Sequence, residues 1–119
     1  MASVRELHNE AMRLANMATI SLQLDPQAQV VTLFRQAFEL ERQAASLVPN
    51  EPSSEPTRSI LYRSAASLAL QCNELTIARQ LVAQGLTGYP PPKIEHQLIS
   101  LFDTSDDKTI YPFDIQSID

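Results

Sequence analysis

The sequence predicts an all-α protein on the basis of three observations. The chain has 119 residues but only two glycines and no tryptophan, whereas the strong helix formers Ala, Leu, Gln, Glu and Arg are abundant. Apolar residues recur at spacings of three and four up to residue 102, which is the period of an amphipathic helix. Prolines gather between these periodic runs, at positions 49–56 and 90–92. We therefore expect about five helices packed as antiparallel hairpins.

The first two helices are predicted from two apolar stripes and from the link between them. Asp25-Pro26 separates the stripes and suits a helix start, with an acid at the N-cap and proline in the first turn. The first stripe consists of Val4, Leu7, Ala11, Leu14 and Ala18. The second consists of Val30, Leu33, Ala37, Leu40, Ala44 and Leu47, widened by Phe34 and Phe38.

The third helix, at about residues 57–72, is rich in alanine and serine, and we expect it to be central because small side chains allow close packing. Asn73-Glu74 predicts a tight turn to the fourth helix, whose buried face is Ile77, Ala78, Leu81, Val82 and Gly85. A short fifth helix starts in the prolines and presents Ile94, Leu98 and Phe102. Residues 1–103 are thus predicted to form a single helical domain, and residues 104–119 an acidic C-terminal tail.

The charge distribution excludes one class of function. The net charge is −5, but residues 103–119 hold five acids and one base, so the helical body is nearly neutral. The nine Lys and Arg residues do not cluster, and nucleic-acid binding needs a basic footprint. The first residues lack the apolar core of a signal peptide, and no apolar run is long enough to cross a bilayer. We therefore expect a cytoplasmic protein that binds neither nucleic acid nor a membrane.

The order of the helices resembles the tetratricopeptide repeat (TPR). Two sets of residues, beginning at Leu14 and at Tyr62, share the same internal spacing with an offset of 48 residues. The residues that match the family pattern well are Tyr62, Ala66, Ala78, Gly85 and Pro90. The resemblance implies a right-handed array of hairpins, in which Gly85 is small so that the fifth helix can pack against it. The run EPTRSILYRSAASLAL is also similar to small bacterial helical proteins, a likeness that implies no activity.

The TPR resemblance also implies a binding site. In that family the first helices of successive hairpins line a groove that takes a peptide or a helix, and Arg63 would pair there with a partner carboxylate. The corresponding groove residues are Met12, Ala15, Thr19, Leu22, Gln23, Ile60, Arg63, Ser67, Leu70 and Gln71. The alternative is a solvated or self-packed face with Arg63 bonded to a nearby glutamate.

Two functions from different classes follow from this groove. The first is a protein-interaction module that binds a protein or peptide partner. The second is a structural helical homodimer that fills its own groove, since two and a half hairpins fall short of the three repeats that arrays usually need. On a monomer, Met12, Leu22, Ile60 and Leu70 would then be exposed apolar groups, which usually mark contacts.

Catalytic and metal-binding motifs are absent from the sequence. It contains no phosphate-binding loop, no H-E-x-x-H, no C-x-x-C and no G-x-S-x-G. His8 and His96 lie far apart, and Cys72 falls on an apolar helix face, where a small buried hydrophobe is expected. We therefore predict no enzyme activity, no metal and no cofactor.

The tail carries more apolar groups than a solvating segment needs. Ile110, Tyr111, Phe113, Ile115 and Ile118 fall within nine residues, while Pro112 excludes a continuous helix. The tail is therefore predicted to be extended and to dock on an apolar groove of its own chain or of a dimer partner. Tyr111 and Phe113 are the predicted anchors, and Asp114 is expected to reach a base such as Arg63.

Overall fold

A computed structural model describes residues 2–24 and 30–103, which form five α-helices and one short 3-10 turn. The helices are α1 (Val4–Leu24), α2 (Val30–Ser46), α3 (Thr57–Gln71), α4 (Leu75–Leu86) and α5 (Pro92–Asp103), and the 3-10 turn is Pro52–Ser54. These residues contain no strand, so the all-α prediction is confirmed. The predicted cap at Asp25-Pro26 and the predicted tail at 104–119 lie outside the described residues.

Local signals define where the helices begin and end. At the start of α1, the Glu6 amide donates to the Ser3 hydroxyl (3.1 Å) and the Ser3 amide to the Glu6 carboxylate (3.0 Å), which is a capping box. After α3, Asn73 has φ 63°, a left-handed conformation that asparagine tolerates. The amides of Asn73 and Glu74 reach back to the carbonyls of Leu70 (3.2 Å) and Ala69 (2.9 Å). This pattern closes the helix as a Schellman motif.

Side-chain contacts show that consecutive helices run antiparallel. His8, near the start of α1, contacts Glu41, near the end of α2. Arg58, near the start of α3, donates to the Gln84 carbonyl near the end of α4 (3.1 Å). Each of α1 to α4 packs on the next helix, and α5 packs on both α3 and α4.

Helix α3 is central, as predicted from its small residues. Every residue from 58 to 69 is buried, because α2, α4 and α5 all pack against this helix. The α2 stripe needs one correction: Leu47, predicted to be buried, is 47% exposed, since α2 ends at Ser46.

Gly85 lies in a close contact with the fifth helix, as predicted. It is buried, and a β-carbon at this position would be 3.1 Å from Tyr62 Cβ and 3.1 Å from Leu98 Cδ1. The α4 backbone therefore lies directly against α3 and α5. The space is tight even for alanine, since the Tyr62 β-carbon is tied to the α3 backbone and cannot swing away.

The 47–56 linker between α2 and α3 and the 87–91 linker between α4 and α5 lie at the same end of the helix stack, where hydrogen bonds hold them together. We call this end the tied end. The Glu55 carboxylate accepts from the Ser59 amide (3.0 Å) and hydroxyl (2.7 Å), and also from the Tyr89 amide (3.4 Å). Arg58 lies over the Tyr62 ring at 4.8 Å while it bonds to the end of α4. The two linkers are thus fixed to α3 and to each other.

Candidate interaction surface

The predicted groove residues fall into two sets. Buried within the chain are Met12, Ala15, Ile60, Arg63 and Ser67; exposed are Thr19, Leu22 and Gln23, with Leu70 and Gln71 half-buried. Met12 and Ile60 were expected to be exposed on a monomer, and this expectation is wrong. Both side chains belong to the hydrophobic core. What remains accessible is the part of the predicted groove where α1 and α3 end.

Arg63 lies inside the protein rather than at a groove surface. It is 5% exposed, and its Nη1 donates to Gln97 Oε1 of α5 at 2.5 Å. Its charge also acts on Glu41 of α2, where it favours the ionised carboxylate. The self-packed alternative therefore describes Arg63 better than a role in pairing with a partner carboxylate.

A buried acid and histidine lie beside Arg63, and sequence reasoning missed both. His8 Nδ1 is 2.9 and 2.8 Å from the two Glu41 oxygens, and the two residues are 2% and 0% exposed. Burial raises the pKa of Glu41, an effect opposed by hydrogen bonds from His8 and Ser64 and by the Arg63 charge. This polar cluster (His8, Glu41, Arg63, Ser64 and Gln97) links α1, α2, α3 and α5.

A signal for the polar cluster does exist in the sequence. Phe34, Phe38, Glu41 and Ala45 recur at spacings of four, three and four, and all four are buried. Glu41 thus continues an apolar stripe, and an acid in such a position requires a buried partner. The partner could not be identified from sequence, because His8 lies 33 residues away.

Within the described residues, the other side chains considered for chemistry, His96 and Cys72, belong to no metal-binding cluster. His96 is exposed on α5, whereas His8 is buried. Cys72 is buried, as predicted, and burial raises the pKa of its thiol. Within residues 2–24 and 30–103, no three His, Cys, Asp or Glu side chains converge in a geometry suited to a metal ion.

Exposed apolar side chains concentrate at the end of the stack opposite the tied end. Here α1 and α3 end while α2 and α4 begin, and Arg35 of α2 bonds both to Glu74 and to the Cys72 carbonyl (3.5 Å) in the α3–α4 turn. Six of the nine exposed large apolar side chains in the described residues lie at this end. We call them the apolar end: Met17, Ile20, Leu22, Leu24, Val31 and Leu75.

Part of the apolar end is a stripe on the outward side of α1. Met17, Ile20 and Leu24 follow one another at spacings of three and four, which places them on one helix face. Ile20 is 55% exposed and Leu24 81%. The core-facing residues of this part of α1, Leu14, Ala15 and Ala18, lie on the other side. An outward apolar stripe is therefore left partly uncovered by the described residues.

A crevice of about 650 Å³ lies between side chains of α1 and α2. Leu14 and Leu40 line it together with four charged side chains, Glu10, Arg13, Arg35 and Glu39. Each of the four forms an ion pair: Arg13 with Glu10, Arg35 with Glu74, and Glu39 with Arg42. The charges around the crevice are thus already engaged within the chain, and the apolar end is the stronger candidate for a binding surface.

The comparisons with known proteins identify no relative. No protein-family model, no curated protein and no solved structure matches the chain. None of the described helices combines the length and apolarity that a membrane crossing requires. The candidate site therefore rests on the geometry of the chain itself.

Proposed function

We propose that this chain is a non-enzymatic, cytoplasmic protein-interaction module, built as a TPR-like helical array, that binds a peptide or helix of another protein. The small residue Gly85 supports the TPR-like interpretation, since it lies where the resemblance requires a close approach of the next helix. Further support is the packing order, in which each helix contacts the next and α5 packs across the second hairpin.

The observation that carries the proposal is the apolar end. Burying a large aliphatic side chain contributes about 1.5–3 kcal/mol relative to leaving it in water, so leaving six of them 41–81% exposed forgoes part of that stabilisation. The outer faces of terminal units in helical arrays are normally polar, which keeps the array soluble. The outward stripe of α1 departs from that pattern, and a partner that covers it would account for the departure.

The chemistry around the apolar end indicates the kind of partner. Thr19, Gln23 and Gln71, the polar members of the predicted groove that stay accessible, are all uncharged. A stripe at spacings of three and four suits an amphipathic helix or a short apolar peptide motif. Three of the groups able to act as acid, base or nucleophile, His8, Glu41 and Cys72, are buried, which favours binding over catalysis.

The test is site-specific photo-crosslinking in the native cell, with the crosslinker placed at Gln23 of the full chain. We expect one main protein product, and at least a tenfold loss of it in Leu24→Glu. Leu47→Glu is the matched control, because Leu47 is also an exposed leucine at a helix end but lies at the tied end. Equal loss in both variants, or no loss in either, would refute the apolar end as the binding surface.

The homodimer alternative is supported by the same exposed stripe, since a two-fold axis can pair a stripe with its own copy. Light scattering on the purified chain distinguishes the two functions. A monomer mass over the micromolar range favours the interaction module, whereas a dimer that Leu24→Glu dissociates and Leu47→Glu does not favours the structural homodimer.

A further inference from the structure

The position of α5 determines where residues 104–119 begin. Arg63 in α3 bonds to Gln97 in the middle of α5, and Arg79 in the second turn of α4 lies over the Phe102 ring at 5.0 Å. Helix α5 therefore runs parallel to α3 and antiparallel to α4. Its last residue, Asp103, reaches the same end of the stack as the end of α3 and the start of α4. Residues 104–119 thus start at the apolar end.

The segment is long enough to reach every helix at this end. An extended chain covers at most about 3.3–3.6 Å per residue, so sixteen residues span roughly 55 Å, compared with 42 Å for the longest dimension of the protein. Packed helices lie about 8–10 Å apart, and the path from α5 through α3 and α2 to α1 has three such steps. Phe113, ten residues after Asp103, can therefore reach α1.

The chemistry of the segment matches the surface. It carries three isoleucines, Tyr111 and Phe113 within nine residues, and an apolar surface lies next to its starting point. Residues 104–119 hold four acids and one base, a net charge of −3. Arg79, in the second turn of α4, is exposed and supplies positive charge near the same end. Pro112 makes an extended strand-like occupant the suitable form.

We propose that residues 104–119 dock on the apolar end of their own chain, with Tyr111 and Phe113 as the anchors. The docking itself is independent of the proposed function; only its consequence, competition with a partner protein, rests on it. Because the segment is tethered, its effective concentration at the surface is of millimolar order. A partner protein must therefore displace residues 104–119 from the apolar end. The contacts of Tyr111 and Phe113 determine how strongly the segment competes with that partner. The predicted pairing of Asp114 with Arg63 is not part of this proposal, since Arg63 is buried.

The test is methyl NMR of the full-length chain, because an aromatic ring displaces the shifts of the methyl groups that it covers. We expect the methyl signals of Ile20, Leu24 or Leu75 to be displaced in the wild type and to lose this displacement in the double variant Tyr111→Ser/Phe113→Ser. Thr109→Ala/Ser117→Ala, in the same segment, is the control and should leave them unchanged. The Leu47 methyls at the tied end serve as an internal reference.

Two other outcomes of this NMR experiment would overturn the proposal. Identical apolar-end signals in the wild type and the aromatic double variant would show that the segment does not dock there. Displacements that disappear on dilution would show that the segment docks on a second copy rather than on its own chain. Since the purified chain alone is measured, neither result depends on whether a partner protein exists, and the crosslinking experiment tests that separately.

Discussion

The two ends of the helix stack are completed in different ways. At the tied end, polar side chains hold the linkers: Glu55 accepts hydrogen bonds from Ser59 and Tyr89, and Arg58 bonds to the end of α4. At the apolar end, six large apolar side chains are left exposed, and Arg35 joins α2 to the α3–α4 turn through its ion pair with Glu74 and its bond to the Cys72 carbonyl.

This difference indicates that the two ends have different roles: residues towards the tied end stabilise the fold, and residues at the apolar end are available for recognition. The polar cluster around Glu41 and the close contact at Gly85 both lie towards the tied end, where α2 and α4 finish. Substitutions there should change the free energy of unfolding. The six exposed side chains of the apolar end are not among the buried core residues, so they are available for binding. The following four predictions test this division.

The largest effect is expected at Glu41. Glu41→Ala should lower the free energy of unfolding by about 3–5 kcal/mol, since it leaves His8 and Arg63 buried without the carboxylate. Urea denaturation measures the change. Glu39→Ala is the control: Glu39 is exposed and pairs with Arg42 across 3.6 Å, so its loss should stay within about 0.5 kcal/mol. Similar losses in the two variants would mean that the polar cluster does not stabilise the fold.

Gly85 should give the next largest effect. Gly85→Leu should cost about 1–3 kcal/mol through overpacking against Tyr62 and Leu98. Gly85→Ala should change stability less, because a gain in helix propensity of about 1 kcal/mol opposes the tight contact of its β-carbon. Ala83→Leu, at an exposed position of the same helix, should be nearly neutral. Thermal melts that place Gly85→Leu level with Ala83→Leu would refute the packing role of Gly85.

The pH dependence of stability should also reflect Glu41. Burial raises the pKa of Glu41 in the folded protein above the ordinary 4.5. At a pH between 4.5 and this raised pKa, the folded state therefore binds more protons than the unfolded chain. The part of the Glu41 contribution that depends on protonation is therefore fully present below pH 4.5 and is lost as the pH rises through the raised pKa, by at most about 1.4 kcal/mol per pH unit. Glu41→Gln removes this dependence. A constant difference between wild type and Glu41→Gln from pH 4 to 8 would contradict it.

The smallest effect is expected at the apolar end, in the backbone of the α3–α4 turn. Asn73→Ala should cost about 1 kcal/mol, because alanine is strained in the left-handed conformation, whereas Asn73→Gly should be neutral or slightly stabilising. Chemical denaturation distinguishes the two. A loss of several kcal/mol in Asn73→Ala would show that this end carries more of the stability than the comparison of the two ends assigns to it.

The helices could be predicted from sequence because their signals are local. The buried face of α4, the central position of α3 and the role of Gly85 all follow from spacing and residue size. Ser3 and Glu6 also match the local S-x-x-E pattern of a capping box. The burial of the predicted groove residues was less predictable. Spacing defines the helix faces on which Met12 and Ile60 lie, but it does not determine which neighbouring helix covers each face.

The sequence by itself determined the helix content, most helix boundaries and the apolar stripes, since hydrogen bonds and side-chain periods act over a few residues. Only the tertiary structure decided that Glu41 meets His8 from 33 residues away and that Arg63 turns inward to Gln97. It also decided that the exposed apolar residues of α1, α2 and α4 share one end. These features depend on antiparallel packing between distant segments, which no local pattern specifies.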